Sequence, residues 1–141
     1  MCVTRRLIAL LGLAGLIATP AAAVDNTYLT CTFTEGVTHT YEKGKFIPEK
    51  AAPLTFGITD IDAEAQKATL KTERGSGTLR VAHAVNATHF LEIVTEGFMN
   101  ITTVYDKDDA KGVHPAVHSR HIGLFGQPLV TQYQGFCTPK K

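Results

Sequence analysis

The sequence is poor in the features that mark several large classes of protein. It has no tryptophan, only two serines (Ser76 and Ser119) and a formal net charge of +1. A charge so close to balance gives no field that would attract nucleic acid or an anionic membrane, so no nucleic-acid partner is expected. After residue 23, no stretch has a sustained apolar period of 3.6 residues, and none is long and apolar enough to span a membrane. A helical bundle and an integral membrane helix are therefore not predicted for this part of the chain.

The one long apolar run lies at the start of the chain. Two arginines precede the run from Leu7 to Ile17, and small residues ending at Ala23 follow it. This order is typical of a secretory signal peptide, and the run is shorter than a membrane-spanning helix requires. We therefore expect residues 1–23 to be removed and residues 24–141 to form a single exported domain. The expected location is periplasmic or secreted, and the expected state is a monomer.

Cysteine is scarce, and its positions are informative. Cys2 belongs to the predicted signal peptide, which leaves Cys31 and Cys137 near the two ends of the mature chain. Two cysteines in an exported protein form a disulfide by default. Such a bridge would tie the first strand to the last and close a loop of about a hundred residues, a constraint worth up to ~4–5 kcal/mol.

Alternating polar and apolar residues are what the chain has in abundance. The clearest stretch runs from Thr88 to Tyr105, where two β-branched and aromatic segments flank Glu96-Gly97, which predicts a β-hairpin. Similar short runs before and after it raise the total to about eight strands, whereas Val37 to Lys50 is predicted to be a long exposed connection. We predict an all-β fold, a small antiparallel meander β-barrel of about eight strands. A two-sheet β-sandwich is the alternative, and the disulfide between first and last strands favours the barrel.

Half of the six histidines lie between His114 and His121. On a strand, His114, His118 and Arg120 would point to one face and His121 to the other. His114 and His118 would then be about 13 Å apart at ~3.3 Å per residue, too far to share a metal without help from neighbouring strands. A Zn or Cu site using His114, His118 and His121 is the alternative to a polar face whose histidines are hydrogen bonded. No cofactor is otherwise predicted.

Arg120 is a candidate contact for an anion or a carboxylate, because its guanidinium fork suits bidentate binding. A salt bridge between Arg120 and Glu92 is the competing interpretation. His118 lies on the same predicted face, and Tyr105 is one of the strand aromatics that could line a ligand pocket at the barrel mouth. Adjacent residues on a strand point to opposite faces, so neither neighbour of Ser119 is placed to act as its base, and no strand-to-helix elbow surrounds it. No catalytic residue and no enzymatic activity are therefore predicted.

In size, strand number and predicted compartment the chain resembles two groups of small barrels. One is the lipocalin-like proteins, which hold small apolar ligands, and the other is the small periplasmic lysozyme inhibitors, which block a cell-wall hydrolase with a loop. The Ser-Gly-x-x-Tyr element of the inhibitors is absent, since Thr78, Leu79 and Arg80 follow Ser76-Gly77. We therefore expect an exported, non-enzymatic binding module for a small molecule or an envelope protein, with a periplasmic metal-binding protein as the alternative.

Overall fold

The structure is a computed structural model that describes residues 28–94, 97–123 and 126–140. The predicted signal peptide and the Glu96 position of the predicted hairpin lie outside these residues. Within them the chain forms nine β-strands, and no helix is long and apolar enough to cross a membrane. The strands are β1 (Tyr28–Glu42), β2 (Lys45–Lys50), β3 (Leu54–Asp62), β4 (Lys67–Thr72), β5 (Gly75–His83), β6 (Ala87–Val94), β7 (Phe98–Tyr105), β8 (His114–Ile122) and β9 (Leu129–Lys140).

Eight of these strands close into an antiparallel barrel, which confirms the predicted fold. From β3 to β9 each strand pairs with the next, β1 pairs with β3 on one side, and β1 pairs with β9 on the other. The register of the closing pair runs from Tyr28 opposite Lys140 to Thr40 opposite Leu129. The predicted hairpin from Thr88 to Tyr105 is present as β6 and β7. The two-sheet sandwich is therefore excluded.

The segment from Val37 to Lys50 is largely exposed, as predicted, but it forms a pair of strands and not a long connection with at most a short extended piece. A bulge between Thr32 and Glu35 lets β1 continue to Glu42, and β2 then folds back along it. Lys43 and Gly44 both have positive φ, 48° and 81°, and a two-residue turn of this kind matches the twist of an antiparallel pair. This β1–β2 hairpin projects beyond the ring of eight strands.

The disulfide lies inside the barrel, where the sequence predicted it. Cys31 and Cys137 are directly opposite one another on β1 and β9, with 3.9 Å between their Cα atoms, and both are fully buried. Phe33 and Ile58 are also fully buried beside them in one continuous apolar core. A buried disulfide fits a protein that resides outside the cytoplasm, where oxidising conditions preserve such bonds.

The two ends of the barrel differ. At one end the interior is filled by the disulfide and by small or branched apolar side chains, including Ile58, Val81, Val104 and Ala116. The other end carries the β4–β5 turn and the β1–β2 hairpin, and there the inward-facing side chains include large and polar ones such as Phe90, Asn100 and Arg120. The inward-facing residues of the strands therefore fill one end of the barrel, the base, and leave the other end, the mouth, open.

Candidate functional site

A cup opens at the mouth of the barrel. Its volume is about 630 Å³, which lies in the range that small-molecule sites occupy. Leu54 and Phe56 of β3, Leu79 of β5 and Phe90 of β6 supply an apolar wall and floor. Arg74, in the β4–β5 turn, stands at the rim. The cup is a concave, partly apolar site lined by several strands of one rigid scaffold.

A row of polar side chains, set by the strand register, runs along the inside of the barrel, and its members Glu92, Asn100 and Arg120 line one wall of the cup. Glu92 is opposite Asn100, Asn100 is opposite Arg120, Arg120 is opposite Thr131, and Thr131 is opposite Thr38. Register partners on neighbouring strands point to the same side of a sheet, so these five side chains face inward together. We call this set the polar row.

Hydrogen bonds order the polar row. Asn100 Nδ2 donates to Glu92 Oε2 at 2.6 Å, and the hydroxyls of Thr38 and Thr131 are 3.0 Å apart. Asn100 Oδ1 is buried and has no hydrogen-bond partner among the described residues. Glu92 is therefore hydrogen bonded to Asn100, which lies between Glu92 and Arg120 in the row. This bond is found in place of the salt bridge between Glu92 and Arg120 that was the competing interpretation of the sequence.

A second row lies directly below the polar row, toward the base of the barrel. Phe90, Thr102, His118 and Tyr133 follow one another as register partners across β6 to β9. The His118 ring lies 5.2 Å from the ring of Phe56 and 5.9 Å from that of Tyr133, measured between centroids. Its Nδ1 is 2.8 Å from the hydroxyl of Thr102. His118 is thus a packed aromatic element of the cup floor that also satisfies a buried threonine.

The protonation of His118 follows from this position. Burial disfavours the charged imidazolium, and the positive charge of Arg120 disfavours it further, so the pKa of His118 falls to about 4. At neutral pH the floor of the cup therefore carries no charge on this ring. The other side chains of acidic or basic residues that line the cup are those of Glu92 and Arg120 on the wall and of Glu73 and Arg74 at the β4–β5 turn.

The structure separates the three histidines predicted as metal ligands. His118 points into the barrel, whereas His121 is exposed on the outer face of the same strand. His114 lies near the base, where its Nδ1 is 2.9 Å from the backbone carbonyl oxygen of Tyr105. No group of three or more His, Cys, Asp or Glu side chains placed to hold a metal ion occurs in the described part of the chain.

Of the three predicted ligand-binding residues, the structure brings two together. His118 and Arg120 both line the cup, two positions apart on β8. Tyr105 is at the far end of β7 and 40% exposed on the outer surface, so it does not reach the cup. The sequence predicted correctly that His118 and Arg120 share one face of their strand. It did not predict at which end of the barrel Tyr105 would lie.

Sequence reasoning missed most polar residues of the cup, namely Asn100, Thr102, Thr55, Thr72, Glu73 and Arg74. It also missed Gly77: a Cβ built there would lie 3.1 Å from Glu92 Oε1 and 3.8 Å from the side chain of Leu70, so this glycine faces two side chains that line the cup. The available signal was the alternation of β7, in which an Asn and a Thr occupy positions that face the barrel interior. Polar residues at inward positions are a mark of a cavity, because a filled core would exclude them.

The outer face of the β1–β2 hairpin is a second notable surface. Val37, Tyr41 and Phe46 are exposed there, and Phe46 leaves 53% of its surface accessible. Tyr41 and Phe46 are register partners whose rings meet edge to face at 5.0 Å between centroids. We call these three residues the hairpin face.

Comparison with known proteins adds no family to these observations. A scan against protein-family models gives no match for this chain, and a search of curated proteins gives none either. The class that the geometry defines is a closed, disulfide-bridged antiparallel barrel with a cup at one end.

Proposed function

We propose that this protein is an exported, non-enzymatic binding module that holds a small molecule in its cup. The observation that carries the proposal is that Glu92, Asn100 and Arg120 of the polar row line a cavity that has an apolar floor. A barrel that served only as a scaffold would gain stability by filling this space with apolar side chains. Here Arg120, Asn100 and Glu92 converge on the cavity instead, which is the pattern of sites that fix a ligand by a few placed polar groups.

The rigidity of the walls supports binding rather than a merely structural void. The cup is built on strands, closed by the ring of pairings and tied by the Cys31–Cys137 bridge. A preformed site spends little free energy on ordering itself when a ligand enters. Export to the periplasm or the medium is the setting we infer, from the predicted signal peptide and the buried disulfide together.

Filling the cup provides the test. The probe is N-phenyl-1-naphthylamine, a neutral dye that brightens in apolar surroundings, and the absence of tryptophan keeps its signal free of overlap. The wild-type protein should bind about one dye per chain. Gly77→Phe should abolish that binding, because the new ring would enter the cup between Leu70 and Glu92.

The matched control is Thr78→Phe, which places the same ring on the exposed outer face of the same strand. It should leave dye binding unchanged. Circular dichroism will show whether Gly77→Phe has kept its β structure, and Gly77→Val is a smaller filler if it has not. Dye binding that is absent from the wild type, or equal in wild type and in a folded cup-filling variant, would disprove the proposal.

A second candidate function, recognition of an envelope protein, is favoured by the hairpin face. Exposed aromatic residues are enriched where proteins bind one another. Replacing both Tyr41 and Phe46 with serine should weaken such a complex while leaving dye binding in the cup intact. If chromatography of native envelope extract finds the wild type and this double variant eluting alike as free monomers, the candidate fails.

A further inference from the structure

We infer that the ligand of the cup is a zwitterion of dipeptide size with apolar side chains, its carboxylate bound by Arg120 and its ammonium group by Glu92. This inference rests on the proposed function, since it names the class of molecule that the same cup would take. It is carried by the placement of Glu92 and Arg120 on one wall of the cavity, above an apolar floor, while Glu73 and Arg74 line the cavity at the β4–β5 turn.

The two charges are held apart by the fold. Glu92 is on β6 and Arg120 is on β8, and Asn100 of β7 occupies the position between them in the polar row. Two strand spacings separate their Cα atoms by about 10 Å. A dipeptide places its two charged ends about 5–7 Å apart when extended, so inward-reaching side chains could contact both ends at once.

Glu92 is positioned to accept from a ligand. Its Oε2 is already engaged by Asn100 Nδ2 at 2.6 Å, which fixes the carboxylate. Its Oε1 lies beside Gly77, close enough that a Cβ there would come within 3.1 Å of it, and the Glu92 side chain lines the cup. An ammonium group can donate several hydrogen bonds in different directions, so a carboxylate on the wall of the cup suits it.

Arg120 is positioned to donate to a ligand. It lies in the polar row at the level above His118, and its side chain lines the cup. The neighbours of Arg120 along this wall are hydrogen bonded to one another, Glu92 to Asn100 and Thr102 to His118. Two parallel N–H groups of a guanidinium match the two oxygens of a carboxylate.

The rest of the cup matches an apolar body. Phe56, Phe90 and Leu79 form the floor and wall below the charged pair, and each of them is almost fully buried. A ligand with a single charge would meet one complementary group and one repulsive group in a site of low dielectric, whereas a zwitterion satisfies both. The arrangement therefore favours a molecule whose two opposite charges lie along one side and whose apolar groups lie on the other.

Four compounds with one apolar body test the inference. They are leucyl-phenylalanine, its N-acetyl derivative, its C-terminal amide, and the doubly capped N-acetyl amide, each competed at pH 7 against the bound naphthylamine dye. The free dipeptide should displace the dye at least tenfold more effectively than either singly capped form. The doubly capped form should be weakest.

Charge-removing variants assign each end of the ligand. Arg120→Gln should erase the difference between the free carboxylate and the amide but keep the difference between free and acetylated amine. Glu92→Gln should do the reverse, and it can still accept a hydrogen bond from Asn100. Arg80→Gln, on the exposed outer face of β5, is the matched control and should change neither preference.

The outcomes separate the inference from the function on which it rests. If the dye binds in the cup but all four compounds compete equally or fail to compete, the zwitterion inference is overturned and the cup remains a binding site. If the preferences survive in both charge-removing variants, the roles of Arg120 and Glu92 are refuted. If the dye shows no binding that depends on Gly77, the proposed function itself falls.

Discussion

His118 should make this protein lose stability in mild acid. In the folded state its pKa is about 4, because burial and then the charge of Arg120 disfavour the imidazolium, against an ordinary value of 6.5. The unfolded chain therefore binds more protons than the folded chain between these two values. Stability contributed by neutral His118 is present above pH 6.5 and is lost as the pH falls toward 4.

The size of the effect follows from the two pKa values. The difference between the folded and unfolded pKa values corresponds to about 3 kcal/mol of folding free energy once the pH is below both values, since one pKa unit is about 1.4 kcal/mol. Between pH 7 and pH 4.5 the loss assignable to His118 is about 2 kcal/mol. For a small barrel this is a substantial share of the whole free energy of unfolding.

Urea unfolding followed by circular dichroism at pH 7, 6, 5 and 4.5 measures the loss, with the disulfide intact. His118→Gln removes the titrating ring while keeping a polar group within reach of Thr102. Between pH 7 and pH 4.5 the free energy of unfolding of this variant should therefore fall by about 2 kcal/mol less than that of the wild type. Carboxylates protonate in both proteins and cancel in the comparison. His121→Gln, on the outer face, is the control and should follow the wild type. Parallel pH dependences for wild type and His118→Gln would refute the argument.

Three further expectations concern the scaffold, each measured as the free energy of unfolding in denaturant. Replacing Cys31 and Cys137 together with alanine should cost up to about 4–5 kcal/mol, because the bridge closes a loop with a sequence separation of 106 residues; an unchanged value would contradict this. Phe33→Ala should cost about 3–5 kcal/mol, since the ring is fully buried among other aromatic rings. Gly135→Ala should cost about 1–3 kcal/mol, because the added Cβ would meet the Phe33 Cα at 2.9 Å. Gly77→Ala should cost less, because its Cβ would meet side-chain atoms, Glu92 Oε1 at 3.1 Å and Leu70 at 3.8 Å, in place of backbone. Equal costs at the two glycines would refute that reading of the packing.

Much of the fold was readable because strand periodicity is local. The hairpin from Thr88 to Tyr105 alternates clearly, and a glycine at its turn supplies the positive φ, 91° at Gly97, that reversal of the chain requires. The Cys31–Cys137 bridge followed from there being two cysteines after the predicted signal peptide. Because this bridge requires the first and last strands to be neighbours, it also predicted that the strands close into a ring.

The β1–β2 hairpin was not readable, for physical reasons. Its turn uses Lys43 before Gly44 rather than the asparagine or aspartate that usually marks such turns. The bulge after Thr32 shifts the inward face by one position, which breaks the alternation of β1. Pro48 in β2 also argues against a strand, and it is tolerated here because β2 is an edge.

The candidate site was readable only within one strand. His118 and Arg120 share a face because they are two positions apart on β8, and this needs no knowledge of neighbours. Their association with Glu92 and Asn100 depends on the register of three strands, and register is set by turns and packing over the whole ring. A single sequence does not supply that information.

Pairing of β1 with β9 has a consequence for how the chain reaches its native state. Every other contact in the ring joins strands close in sequence, but this one brings Tyr28 beside Lys140. Contacts between residues so far apart in sequence form slowly, because the chain must lose the conformational entropy of a large loop before the strand pairing stabilises it. Until the ring closes, the growing sheet presents unpaired edges on which another copy can add. We therefore expect closure to be the slow step of folding and to remove the unpaired edges of the ring, so that β2, which carries Pro48, is the edge strand left among the described residues.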